Sequence, residues 1–400
     1  MTTTQDRLAG GSLVAGGMIA MNAFFYVFTV VAARLLGPAE LGALTALLSV
    51  MLMGNVVSLG LQASTARRIA VAPERLDEIV GVVARVTVLA ALTVGATVAV
   101  STVVATPVLR LDSPWPVVLA GATLVPLTVM GAQAGIAQGS GRWGALTAIY
   151  LANGFGRLAV GAIALAIDQS ATAAVVGIAL GAWAPVLAGV PLLRGHWRRT
   201  GTASRRPFLR EATTGSLALL AYFVFSSLDA LVARNRFSAD DAGLYAAGLI
   251  LTKAAMFAPQ FVSVVLFPDL ARDETRRSRA QAVLAVAALG AVATAATAAL
   301  PRVALILVGG NQYAAVADRL WLFALSGSLL AIVHLLVYDA LARHAHGIGV
   351  LVWSGAAAVV AIAYLADVHV TGLALTVSGV AAAVATIAWF VPGQQKSPRR

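Results

Sequence analysis

The sequence predicts an all-α polytopic membrane protein of about twelve transmembrane helices in two six-helix lobes related by a parallel pseudo-two-fold repeat. Three observations predict it. The chain is 60% hydrophobic and only 11% charged, where a soluble domain carries about 25% charged residues, and its mean hydropathy is +0.87. Most of its apolar stretches reach the about 20 residues of helix that cross a hydrocarbon core of about 30 Å. A helix is the form in which such a segment satisfies its own backbone polar groups. Two of these stretches are also broken in the same style, one in each half: "ARLLGPAELG" from Ala33 and "ARNRFSADDAG" from Ala233.

The expected spans are 12–33, 42–66, 79–106, 115–138, 144–167, 171–193, 213–233, 243–268, 280–308, 315–338, 347–366 and 370–391. The first, "GSLVAGGMIAMNAFFYVFTVVAA", is too long for a signal-peptide core and has no small-residue cleavage site before Arg34, so it reads as a retained helix. A tight turn at Gly37-Pro38 leads into the second, which leaves through the basic "ARRIAVAPER". The third to sixth spans follow with short connections. The longest polar segment, "RGHWRRTGTASRRPFLREA", then separates six spans from six. This gives an N-terminal lobe over 1–193, a basic cytoplasmic linker over 194–212, and a C-terminal lobe with a short basic tail over 213–400. In the second lobe the Ser-Ala-Asp-Asp break joins spans seven and eight, and "ARDETRRSR" is the basic exit of the eighth. Pro301, in "AALPRVALILVGGNQ", leaves the end of the ninth open to three readings: a kinked continuation, a re-entrant piece or a surface lip. The last three spans are uninterrupted.

Charge placement orients the chain. Of the 28 Lys and Arg residues, 19 fall in segments on the side of the N-terminus, six on the other side and three (Arg85, Arg157, Lys253) inside spans. That bias puts both termini in the cytoplasm of a multi-pass plasma-membrane protein. The net charge of +11 is then membrane topology and calls for no nucleic acid partner. The sequence has no cysteine, which excludes disulfides and thiolate metal sites, and no metal centre is expected.

The halves align as a repeat. "AFFYVFTVVAAR" falls on "FVFSSLDALVAR", with identities at Phe25 and Phe225, Ala33 and Ala233, and Arg34 and Arg234. A polar break, a glycine (Gly42 or Gly243), a long apolar span and a basic exit follow in both. An even number of spans between the copies gives both lobes the same orientation, with a substrate site expected between them.

Together, "ARLLGPAELGALTALLSVMLMGNVVSLGLQASTARRIA" and "SSLDALVARNRFSADDAGLYAAGLILTKAAMFAPQFVSVVLFPDLARDE" resemble the polysaccharide and oligosaccharide-lipid exporters, of O-antigen flippase type, in the multidrug/oligosaccharidyl-lipid/polysaccharide transporter superfamily. The resemblance is clearest over the first two spans of each half. It implies two lobes around a central cavity, and alternating access that carries lipid-linked sugars from the inner to the outer leaflet. It also implies partners in polysaccharide polymerase or glycosyltransferase machinery. Lipid II flippases of the same superfamily are usually longer by two C-terminal helices, whereas this sequence ends with "VPGQQKSPRR", which ranks that role lower.

Charges inside spans are costly and therefore candidates for function. Arg157 lies halfway along the fifth span with Asn153 one turn earlier, and Lys253 shares a face of the eighth with Met256, Gln260 and Ser263. In the second span Asn55, Ser58 and Gln62 form a polar stripe that reads equally as cavity lining or as helix–helix glue. Arg34 and Arg234, at corresponding outer ends, are placed to flank an outer portal and bind phosphate, or to anchor in lipid headgroups. Asp229 is the one carboxylate clearly within a span. It is a candidate for H+ or Na+ coupling, for pairing with Lys253, or for an interfacial position. Arg85 is expected to snorkel, His334 to be an interior hydrogen-bonded histidine, and Asp339 to pair with Arg343 at the surface.

The embedded cations suit an anionic headgroup. A transporter of a polyprenyl-phosphate-linked oligosaccharide therefore leads, and a multidrug cation exporter of the same fold is the alternative. A membrane glycosyltransferase would need an acidic or metal site or a large outer loop, which the short, acid-poor outer loops do not offer, so no catalytic residue is assigned. No G-x-x-x-x-G-K-[ST] loop occurs in the sequence. No cofactor is expected, and the energy is left to an ion gradient, the membrane potential or substrate flux.

Overall fold

The computed structural model describes residues 4–193, 219–270, 276–342 and 347–391. The chain forms two compact units, Met1–Ser216 and Leu217–Arg400. The 194–212 linker, the basic tail from 392 and Arg343 lie outside the described residues.

Among the described residues, every span expected from the sequence falls on helical structure; 213–218 of the seventh lies outside them. The first unit contains α1 (Thr4–Leu35), α2 (Pro38–Gly54), α3 (Val56–Val71), α4 (Leu76–Val108), α5 (Trp115–Gly139), α6 (Trp143–Ile167), α7 (Ala171–Gly181) and α8 (Trp183–Leu193). The second contains a helical segment over 219–225, here α9, then α10 (Leu228–Arg236), α11 (Ala239–Leu270), α12 (Arg276–Ala299), α13 (Pro301–Val308), α14 (Leu320–Ala342), α15 (Ile348–Leu365) and α16 (Val370–Phe390). Among the described residues, ten helical stretches are long and apolar enough to cross a membrane. They coincide with the first six and last four expected spans, and the protein is an all-α polytopic membrane protein.

Several spans are broken, three of them where the sequence suggested continuity. The second kinks at Asn55 and the sixth at Ala182. The seventh breaks at Ser226-Ser227. The ninth ends at Ala299: Leu300 leaves the helical region (φ −126°), and Pro301 starts the separate short helix α13, as a residue without an N–H readily does. Gly309 and Gly310, at φ 127° and 103°, then turn the chain in a conformation that a side chain would strain.

Each unit is built on the same plan. In the first, α3, α4, α6 and α8 pack on α5; in the second, α11, α12 and α16 pack on α14. The fourth span of each unit is its centre: 67% of the apolar window is buried in both cases, against 6% for the third span of the first unit and 11% for that of the second. The joint between second and fourth spans is also repeated. Ser58 Oγ donates to the Leu127 carbonyl at 2.7 Å, and Thr252 Oγ1 donates to that of Phe323 at 2.9 Å. Four residues beyond each acceptor stands a glycine. A Cβ on Gly131 would lie 2.4 Å from the Ser58 carbonyl oxygen, and one on Gly327 would lie 2.2 Å from that of Thr252. Small residues at helix contacts allow this approach within a bilayer.

The two matching breaks are two-residue turns, Leu36-Gly37 and Phe237-Ser238. Pro38 takes the first position of α2, and Glu40 accepts from the Ala171 N–H at 2.6 Å, closing the start of α7. In the second unit Ser238 Oγ accepts from the Asp241 N–H at 3.1 Å and donates to its carboxylate at 2.8 Å, capping α11.

Asp339 meets Arg279, while Arg343, its expected partner, lies outside the described residues. Arg279 Nε lies 3.0 Å from Asp339 Oδ2. The same guanidinium donates to the Ala388 and Trp389 carbonyls, both at 3.1 Å, and lies over the Trp389 ring at 4.6 Å. It ties α12 and α14 to the end of α16, whose last carbonyls have no donor within their own helix. Arg279→Ala is expected to cost about 3 kcal/mol, since charged hydrogen bonds contribute about 1.5–3 kcal/mol each and overlap here. Thermal unfolding of the purified protein checks this: a midpoint equal to wild type would mean that the three helix ends hold without it.

Candidate functional site

In the first unit the candidate residues gather along α6. Tyr150, Asn153 and Arg157 recur at helical spacing, so one side of an otherwise apolar helix is polar. Gly154 and Gly161 bring α6 against α1, where added Cβ atoms would lie 2.8 Å from Met21 Cα and 2.4 Å from the Phe28 ring. Arg157 enters this contact. Its guanidinium carbon lies 4.8 Å from the ring centre of Phe25 and 5.2 Å from that of Phe28. Its Nε is buried without a hydrogen-bond partner, and no carboxylate pairs with it among the described residues. Aromatic faces attract a cation but leave its donors uncommitted. One turn earlier Asn153, 8% exposed, donates to the Met21 sulfur at 3.5 Å. Phe155 adds an edge contact to Phe24, with ring centres 6.1 Å apart.

The polar stripe of the second span divides. Ser58 is the helix joint described above. Gln62 Nε2 donates to the Tyr150 hydroxyl at 2.8 Å and to Gln138 Oε1 at 3.0 Å, linking α3, α5 and α6. Asn55 stands at the kink, with Oδ1 buried and without a hydrogen-bond partner among the described residues.

In the second unit the site is the break between α9 and α10. Asp229, in the first turn of α10, is 2% exposed. Its carboxylate accepts from the Tyr245 hydroxyl of α11 at 2.9 Å and from the Ala230 N–H at 2.9 Å. Lys253, two turns beyond Tyr245 on α11, donates to the Ser226 carbonyl at 2.6 Å and to Ser227 Oγ at 3.1 Å. Its two hydrogen bonds therefore go to neutral oxygens at the break. Gln260 lies further along α11, and its side chain is outside those described.

Arg34 ends α1 and is exposed; Arg234, partly buried, occupies the last turn of α10. His334 departs from expectation. It stacks flat on Tyr222 at 4.4 Å with the rings 5° from parallel, and its Nε2 is buried without a hydrogen-bond partner among the described residues. The ring is held by aromatic packing against Tyr222 and, edge-on, Tyr338. Among the described residues no cluster of His, Asp and Glu is able to hold a metal ion.

Sequence reasoning passed over Tyr150, Tyr245, Ser227 and the two phenylalanines under Arg157. The spacing of Tyr150 with Asn153 and Arg157 was a usable signal. That Tyr245 meets Asp229 depends on how α10 turns onto α11, which no local pattern encodes.

Set beside known proteins, the chain matches over residues 8–273 the family model described as polysaccharide biosynthesis protein. No curated protein sequence matches it. Among solved structures it is similar to an inward-facing multidrug resistance MATE family transporter of the MOP superfamily, with TM-score 0.72, 10% identity, and 92% of this chain and 93% of that one covered. It is similar to the lipid II flippase MurJ in an inward closed conformation, with TM-score 0.72, 9% identity, and 93% and 86% covered. An outward-facing MATE transporter gives TM-score 0.65 at 12% identity, with 97% of each chain covered. At such identities the likeness is one of fold.

Proposed function

Given that the chain belongs to the polysaccharide biosynthesis protein family, we propose that it is a flippase carrying a polyprenyl-phosphate-linked oligosaccharide from the inner to the outer leaflet by alternating access. Both termini face the cytoplasm in this reading. The observation that carries it is Arg157, a cation in a membrane span with aromatic faces around it and, among the described residues, no acid paired to it. A guanidinium so placed keeps its fork of donors for a planar, bidentate acceptor such as a phosphate oxygen pair. A salt bridge would have neutralised it.

Asn153 stands one turn away to add a neutral polar contact. Arg34 and Arg234, near the ends of α1 and α10 in their respective units, offer guanidiniums for a headgroup phosphate. The isoprenoid tail remains in lipid while headgroup and sugar cross, so the chain needs polar groups only along the headgroup's path. Asn55, with an unpartnered buried oxygen, is such a group, whereas Gln62 supports it by fixing Tyr150. Energy comes from an ion gradient, the membrane potential or substrate flux.

The fold is shared with multidrug exporters, so the test contrasts the two cargoes. Purified protein in liposomes is expected to flip a fluorescent polyprenyl diphosphate oligosaccharide and to leave entrapped ethidium in place. Ethidium efflux without sugar-lipid movement would assign the chain to the exporters and leave Asp229 as the residue to mutate.

A further inference from the structure

The helix break at Ser226-Ser227 rearranges a small set of hydrogen bonds. In a continuous helix the Ala230 N–H would donate to the Ser226 carbonyl, four residues back. Here it donates to Asp229 Oδ1 at 2.9 Å. The Lys253 ammonium donates to the Ser226 carbonyl at 2.6 Å, with Ser227 Oγ 3.1 Å away. Asp229, held by Tyr245, supplies the negative charge nearby. A backbone carbonyl, a hydroxyl and a carboxylate at an unwound helix are what an alkali cation requires, since unwound carbonyls and helix ends coordinate such ions inside membranes.

We infer that the α9–α10 break is a seat for a monovalent cation, filled in this chain by its own Lys253 ammonium, so that the transport cycle requires no Na+. The tethered cation does what a dissolved one would do. It satisfies the freed carbonyl, offsets the Asp229 charge and holds α11 against the break. Being covalently attached, it cannot be exchanged for Na+ from either side of the membrane. Na+ coupling at Asp229 is therefore closed, and the remaining drives are protons, the membrane potential or substrate flux. The inference concerns the cation seat alone and holds whichever cargo is carried.

Thermal unfolding of the full-length protein in NaCl, KCl and choline chloride at matched ionic strength tests it without any substrate. Wild type is expected to unfold at one temperature in all three salts. Lys253→Met keeps the bulk of the side chain and removes the ammonium. It is expected to gain a midpoint rise of roughly 4 °C in saturating Na+, absent in choline. The double variant Lys253→Met with Asp229→Asn should lose that rise. A wild-type midpoint raised by Na+ but not by choline overturns the inference, as does a folded Lys253→Met protein indifferent to Na+. Where Lys253→Met yields no folded protein, wild-type transport after replacing Na+ by choline decides: an unchanged rate supports the tethered cation, and a lost rate overturns it.

Discussion

Arg157→Ala is expected to lower the rate of sugar-lipid flipping by about two orders of magnitude or more while the protein still inserts and purifies as wild type. Truncating one partner of a desolvated, hydrogen-bonded charge pair costs about 2–5 kcal/mol, and each 1.4 kcal/mol is tenfold. That no carboxylate pairs with Arg157 among the described residues, and that its Nε has no hydrogen-bond partner there, is what separates this from a structural effect. Removing a guanidinium that no carboxylate opposes strands no acid in the span, so thermal stability should change by less than about 1 kcal/mol. Arg157→Lys keeps the charge but loses the planar fork and should fall between alanine and wild type. If Arg157→Ala flips at the wild-type rate, the phosphate contact lies elsewhere. If it loses activity together with its folded yield, the residue is a packing element between α1 and α6.

Gly135→Leu should have the largest effect on folding. Gly131, Gly135 and Gly139 recur every four residues along α5 and face α3, and a Cβ on Gly135 would lie 2.6 Å from the Gln62 carbonyl oxygen and 2.8 Å from Thr65 Cβ. Backbone cannot give way as a flexible side chain can, so α3 would have to move off α5. That motion would break the Ser58 joint and the link from Gln62 to Tyr150. Overpacking costs about 1–3 kcal/mol in an ordinary core, and the loss of both links adds to it. Little monodisperse protein should survive detergent extraction. Gly144→Leu, where a Cβ meets nothing within 4 Å, should extract normally. Equal yields for the two variants would show that α3 and α5 tolerate separation.

The order of spans was legible because burial in lipid requires nothing more than length and apolarity, both of which are written locally. The breaks were less so. Pro301 announced its own, and Pro185, which cannot donate to the Gly181 carbonyl four residues back, marks the kink at Ala182; Ser226-Ser227 stands in a run with no residue that forbids a helix, and a tertiary contact decides there: Lys253, 26 residues further along the chain, stabilises it. The same division holds at the site. Arg157 and Asn153 declared themselves as polar residues in an apolar span. The aromatic surroundings of Arg157 depend on α1 lying against α6. The glycine stripe of α5 was present in "GAQAGIAQG" and states that a close neighbour exists without naming α3. Asp339 was assigned the nearest basic residue in sequence, Arg343; that helix packing also brings Arg279 to it from another helix is written in no local pattern.

The central claim is that a cationic path carries an anionic headgroup. It is tested most directly by comparing, in the same liposomes, the initial flipping rates of one oligosaccharide attached through a diphosphate to a polyprenol and attached directly to the polyprenol without phosphate. The account predicts that the diphosphate form moves rapidly, that the neutral glycolipid scarcely moves, and that Arg157→Ala reduces the first rate to the level of the second. Equal rates for the two lipids in wild-type protein would contradict it, because the sugar alone would then be recognised and the embedded cations would have no part in transport.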